Sequence, residues 1–97
     1  DPTNKIAIDD VVATYQATKS LLGTAKYYGV TPYVVCRCLI TRNIYDNLPP
    51  IAQQIRDMYD RGMKNADIAQ ALNISVATVR TYEPYNTTTK TIKASRK

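Results

Sequence analysis

The chain has 97 residues, a formal net charge of +5, no histidine and two cysteines. That length holds one ordinary domain or two very small ones, and a unit of about 40 residues buries too little core to stand without a neighbour. No stretch is long or apolar enough to span a bilayer or serve as a secretory signal, and the lack of histidine leaves a zinc site dependent on carboxylates.

The first residue is Asp1 rather than Met, as in a processed chain or an excised fragment. From Ile6 to Thr18 the sequence predicts a helix. Ile8, Val11, Val12 and Tyr15 recur at helical spacing, and Asp9 and Asp10 fall in the first turns, where the helix dipole favours negative charge. Leu21 to Tyr28 predicts a short second helix, capped by Ser20 and ended by Gly29, the residue that enters the left-handed region at least cost. Thr31-Pro32 opens a third helix running to about Ile44: Thr caps it, and Pro at the first helical position gives up no needed N–H. Cys36 and Cys38 lie on that helix. Two residues turn a helix through roughly 200°, so these thiols cannot bridge each other. Free thiols fit a reducing compartment.

Pro49-Pro50 marks a boundary and opens a helix whose stripe is Ile51, Ile55, Met58 and Tyr59, ending near Gly62. Asn65 is the expected cap of a helix from Ala66 to Leu72, with Asp67 in its first turn and Asn73 as the turn residue. Ser75 caps a last helix running to about Glu83, before Pro84. From Leu48 to Tyr85, Arg56, Arg61, Lys64 and Arg80 balance Asp57, Asp60, Asp67 and Glu83. From Asn86 onward come Lys90, Lys93, Arg96 and Lys97 with no acid. This end is read as a flexible basic tail, with a strand over Thr87 to Ile92 as the alternative. Its charge suits a polyanion such as nucleic acid, or an anionic membrane surface, or simple solubility.

An offset of 44 residues aligns the two halves: Val11 with Ile55, Tyr15 with Tyr59, Ala25 with Ala69, Val30 with Ile74, Thr31 with Ser75 and Val35 with Val79. The matched residues are mostly small or apolar, as a shared core requires. The expected fold class is therefore all-α: two tandem three-helix units, residues 6–47 and 48–85, followed by the tail, 86–97.

Each half has a short helix, a three- to four-residue turn and a capped helix, with a further helix ahead. In a helix-turn-helix, the short helix braces the next one, whose N-terminal turns enter the major groove. Ala25 and Ala69 supply the small residue where the helices cross. Gly29 and Asn73 supply the turn, Val30 and Ile74 plug the core behind it, and Val35 with Cys38 and Val79 with Tyr82 anchor the inner faces. Asn65-Ala-Asp-Ile-Ala-Gln-Ala-Leu-Asn-Ile-Ser-Val-Ala-Thr-Val-Arg-Thr-Tyr82 resembles the helix-turn-helix of resolvases, response regulators and sigma-factor region four. Ala25-Lys-Tyr-Tyr-Gly-Val-Thr-Pro-Tyr-Val-Val-Cys-Arg-Cys38 is a weaker match, with Thr24 where Ile68 gives the usual apolar residue. Together with the Val79-Arg-Thr-Tyr-Glu-Pro-Tyr85 ending, residues 7 to 85 resemble small tandem helix-turn-helix proteins of phages and mobile elements in Gram-positive bacteria.

That resemblance implies sequence-specific binding of double-stranded DNA by a bacterial, cytoplasmic, nucleoid-associated transcriptional regulator or mobile-element factor, as monomer or weak dimer. The implied base-reading positions are Pro32, Tyr33, Cys36, Arg37 and Thr41 in the first unit and Val76, Ala77, Arg80 and Thr81 in the second. Arg37 and Arg80 lead, because a guanidinium pairs bidentately with guanine; the alternative for each is a solvated surface charge. Thr31 and Ser75 combine capping with phosphate contact, and Lys19, Lys26, Arg42, Lys64, Gln70, Lys90 and Lys93 are the other phosphate candidates. Tyr15, Tyr28, Tyr59 and Tyr82 fall on inner stripes; Tyr33 is expected to be exposed. The first unit, with Tyr33, Arg37 and Arg42 on its outer face, is expected to carry more of the specificity.

No Gly-rich phosphate loop and no nucleophile–base pair at a recognisable spacing occurs, so no enzyme, cofactor, metal or small-molecule substrate is expected, and no membrane partner. Two other readings compete: a helix-turn-helix protein-interaction module, and the DNA-recognition domain of a larger enzyme such as a recombinase.

Overall fold

The computed structural model describes residues 5–86 and 88–93. Along the chain come β1 (Lys5–Ala7), α1 (Ile8–Thr18), α2 (Leu21–Tyr28), α3 (Pro32–Thr41), α4 (Pro50–Asp60), α5 (Asn65–Leu72), α6 (Val76–Tyr82) and β2 (Thr91–Lys93). The chain is mostly helical, with one small antiparallel sheet.

The repeat survives into the backbone. Shifted by 44, the bounds of α2 become those of α5, and the start of α3 becomes the start of α6. Both turns close alike. Gly29 and Asn73 are left-handed at φ 69° and 58°. Val30 N–H donates to the Ala25 carbonyl at 3.0 Å, and Ile74 N–H to the Ala69 carbonyl at 2.9 Å. These bonds satisfy carbonyls that a helix end would otherwise leave unpaired. Ser20, Thr31 and Ser75 cap as expected, accepting from the N–H groups of Gly23, Val34 and Thr78. Asn65 does not cap. Lys64 holds the cap position without a side-chain bond, and Asn65 instead donates Nδ2 to Glu83 Oε1 at 3.0 Å.

Two apolar cores form. The first gathers Ile8, Val11, Val12 and Tyr15 of α1, Ala25 of α2, and Val35, Cys38 and Leu39 of α3. The second gathers Ile55 of α4, Ile68 and Ala69 of α5, and Val79 of α6. Each fully buried aliphatic side chain contributes about 1.5–3 kcal/mol relative to exposure. Thr24 is fully buried in the place where its counterpart Ile68 is apolar, and its hydroxyl lies 3.3 Å from that of Thr18. The off-pattern residue is therefore tolerated because it has a polar partner. Tyr15 is buried with Asn47 Nδ2 donating to its hydroxyl at 2.8 Å. Tyr28 is partly buried, its hydroxyl donating to the Asp10 carbonyl.

The helix α3 packs on both sides. One side faces the first core; the other meets α4 and α6, burying Cys36, Ile40 and Thr41. It ends at Thr41, short of the expected Ile44, and α1 begins at Ile8 because the residues before it are paired as a strand. Arg56 stands at the counterpart of Val12, is nearly buried, and ties the halves together. Its Nη1 donates to the Ile40 carbonyl, and its Nε donates to both carboxylate oxygens of Asp60, at 3.1 and 3.0 Å.

The expected flexible tail is corrected over its described part. After Pro84 the chain returns to the first core. Tyr85 packs against it, Ile92 is buried in it, and β2 pairs with β1 in the register Lys5–Lys93, Ile6–Ile92, Ala7–Thr91. The reason is burial: among a run of Thr and Lys, Ile92 is the one large apolar residue, and the edge of β1, whose Ile6 packs against the first core, offers it backbone partners there. Arg96 and Lys97 lie outside the described residues.

Candidate nucleic-acid interface

In the second half, α5 braces α6. Asp67 lies in the first turn of α5, Ala69 is small and buried where the helices meet, and the Ser75 cap fixes the start of α6. With Val79 turned into the core, Val76, Ala77 and Arg80 are exposed on the outward face. Thr81 is half-buried, its hydroxyl donating to the Ala77 carbonyl at 3.0 Å. Among the described residues, none forms an ion pair or side-chain hydrogen bond with Arg80. Lys64 and Gln70 are exposed on α5 and its cap.

The first half presents less than expected. At the start of α3, Tyr33 is 60% exposed, Pro32 is half-buried and Lys26 is exposed on the preceding helix. Beyond that first turn, the outer face of α3 is covered. Cys36 and Thr41 are buried, at 6% and 4% exposure, so the expectation that they point outward is corrected. Thr41 donates its hydroxyl to the Arg37 carbonyl at 2.7 Å and accepts from Tyr85 N–H at 2.8 Å. Arg37 is partly buried as well. Its Nε donates to the Glu83 carbonyl at 2.9 Å, and its guanidinium lies 4.0 Å from the centroid of the Tyr85 ring. The physical cause is the docking of the second half: α6 and residues 83–85 lie along the side of α3 that a solitary unit would leave to solvent.

The phosphate candidates are scattered. Lys19 is exposed, beside Asp46 at 3.8 Å, a surface pair worth little. Arg42 is engaged within the chain: Nε donates to Asp9 at 2.8 Å and Nη2 to the Thr89 carbonyl at 3.3 Å, so it ties α1, α3 and the returning segment together. Lys90 is exposed while its carbonyl accepts from Ile8 N–H. Lys93 sits in β2 opposite Lys5.

The buried groups beside this region are held neutral. Burial pushes the Cys38 thiol up to about 12, against smaller opposing contributions from Arg37 and Arg42. Burial also raises the Cys36 thiol and the Tyr85 hydroxyl. A protonated, buried thiol is a poor nucleophile and a poor metal ligand. Both cysteines are free.

Leu22 and Tyr27 of α2 are exposed apolar residues with no counterpart among the predicted site residues, at 62% and 76%. The doublet Tyr27-Tyr28 carried a partial signal: adjacent helical residues lie about 100° apart, so one of two large rings is turned further from the core than the other. Compared with protein-family models, with curated proteins and with solved structures, the chain gives no significant match.

Proposed function

We propose that α2–α3 and α5–α6 are helix-turn-helix units and that the chain binds double-stranded DNA in a sequence-dependent way, with α6 as the principal reading helix. One observation carries this reading: Arg80 is an exposed guanidinium without a partner among the described residues, on the same outward face as the small apolar Val76 and Ala77. Such a face matches what a major groove offers, because Arg pairs with the O6 and N7 of guanine and small apolar groups meet thymine methyls. Exposed Lys64, Gln70 and Ser75 flank it and suit phosphate contacts. Specificity then rests more on the second unit than on the first, because Arg37, Cys36 and Thr41 are occupied within the fold. A regulatory or mobile-element role follows from the same reading.

The test is selection from randomised duplexes with the full chain, followed by anisotropy titrations of Arg80→Ala. The variant is expected to lose about 1–3 kcal/mol at one base pair and to relax preference there. An identical sequence preference for variant and parent, or no duplex binding at low salt, defeats the reading.

A protein-interaction module is the second reading, favoured by the exposure of Leu22, Tyr27 and Tyr33. Amide shifts gathered on α2, with none on α6, when a protein partner is added are its signature.

A further inference from the structure

Arg37 has two partners that come from one short segment of the other half. Its Nε donates to the Glu83 carbonyl, and its planar guanidinium lies over the Tyr85 ring. The same segment is held at two further points. Tyr85 N–H donates to the Thr41 hydroxyl, which itself donates to the Arg37 carbonyl, and the Glu83 side chain accepts from Asn65 at the start of α5. Glu83 is extended at ψ 144°, the backbone that the following Pro84 imposes. The end of α6 is therefore fixed to α3 on one side and to α5 on the other.

The geometry points to Arg37 as a positioning residue for α6: by clamping residues 83–85 to α3, it sets the orientation of the outward face of α6 relative to the first unit. The inference rests on the DNA reading above and deepens it. Two linked units engage one duplex together only if their mutual orientation suits the groove, and a rigid clamp removes the entropy cost of finding that orientation. Arg is suited to the task where Lys is not, because the contact needs a fixed Nε–H donor and a flat cationic face at once. Arg37 thus serves recognition without touching a base.

Arg37→Lys keeps the charge and removes the fork. Two duplexes separate the possibilities: one of about two helical turns, offering grooves to both units, and one of about a single turn. Arg37→Lys is expected to weaken binding to the long duplex roughly 10-fold, leave the short duplex unchanged, and preserve the base preference. In the free protein, residual dipolar couplings of parent chain should fit one alignment tensor across both helix sets, and those of Arg37→Lys should need two. Tyr85→Leu loosens the clamp from its other side without altering any cationic group, so it should reproduce both effects, and the double variant should add little to either.

Equal losses on both duplexes, or a changed base preference with Arg37→Lys but not with Tyr85→Leu, would make Arg37 a direct contact and overturn the inference. One tensor for both single variants would overturn it too. If both single variants fail to fold, the clamp is a bare stability element and the inference falls. If the parent chain binds neither duplex, the DNA reading fails, while the tensor comparison still decides whether Arg37 sets the pose of α6.

Discussion

Gly29 and Asn73, 44 positions apart, close α2 and α5 with the same backbone: both lie at positive φ, and the residue after each returns an N–H to the carbonyl of a buried alanine. The two turns differ only in how the left-handed residue is accommodated. Gly has no Cβ to clash, and Asn tolerates the region better than other L-residues. Gly29→Ala is therefore expected to cost about 1–2 kcal/mol, while Asn73→Gly should be close to neutral. Urea titrations at constant slope check this, and an unchanged midpoint for Gly29→Ala would contradict the assignment.

Ile92 is buried at 8% exposure in a core built otherwise from the first 48 residues and Tyr85. Ile92→Ala should cost about 2–3 kcal/mol, since it removes apolar contact and leaves a cavity. The loss should localise: the Ile8 amide, bonded to the Lys90 carbonyl at 2.9 Å, should exchange faster while the amides of α5 keep their protection. Uniform loss of protection would mean the two halves unfold as one unit.

Arg56 is 6% exposed and supplies the hydrogen bond to the Ile40 carbonyl. Arg56→Met keeps the bulk but removes the charge-assisted bond, leaving the Ile40 carbonyl its bond from Asn43 N–H at 3.0 Å, at a cost of about 1–3 kcal/mol. Asp60→Asn should cost less than about 1 kcal/mol, because the Asp60 side chain is half exposed to water. Thermal melts of the two variants test the ordering; a larger loss for Asp60→Asn would place the ion pair, rather than the carbonyl, at the centre of this contact.

The buried thiols set an alkaline limit. The Cys38 thiol ordinarily ionises near 9.0 and is raised to about 12 by burial. A group whose folded value is raised favours the folded state fully below its unfolded value, and that contribution is lost as pH rises through the folded value. Stability should therefore fall between about pH 9 and 12, with Cys36 and Tyr85 acting in the same direction. Melting temperature against pH is the measurement, and Cys38→Ala should flatten part of the decline. Near pH 8 both thiols should react slowly with a disulfide reagent until the protein unfolds.

Much of the helical framework was legible because its signals are local. Ser20, Thr31 and Ser75 cap bonds three residues away, Gly29 and Asn73 turn the chain where they stand, and the apolar stripes of α1 and α4 follow helical spacing. Asn65 reads as a cap in one dimension, but its amide donates to Glu83, eighteen residues on, which lies within reach only once α6 is folded. The return of the last segment was legible only as an alternative, since three residues of strand have too short a pattern to distinguish from a Thr- and Lys-rich tail.

The sequence by itself determined the helices and the caps at Ser20, Thr31 and Ser75, because each of these depends on groups within a turn or two of one another, and matching them 44 residues apart gave the repeat. Only the tertiary structure decided which arginines face solvent. Arg37 and Arg80 both sit on third helices and read alike in one dimension, yet one is clamped by Glu83 and Tyr85 and the other is open. That difference arises from how the second half docks on α3, and the docking is set by shape and burial summed over residues far apart in the chain. No local pattern around either arginine encodes it.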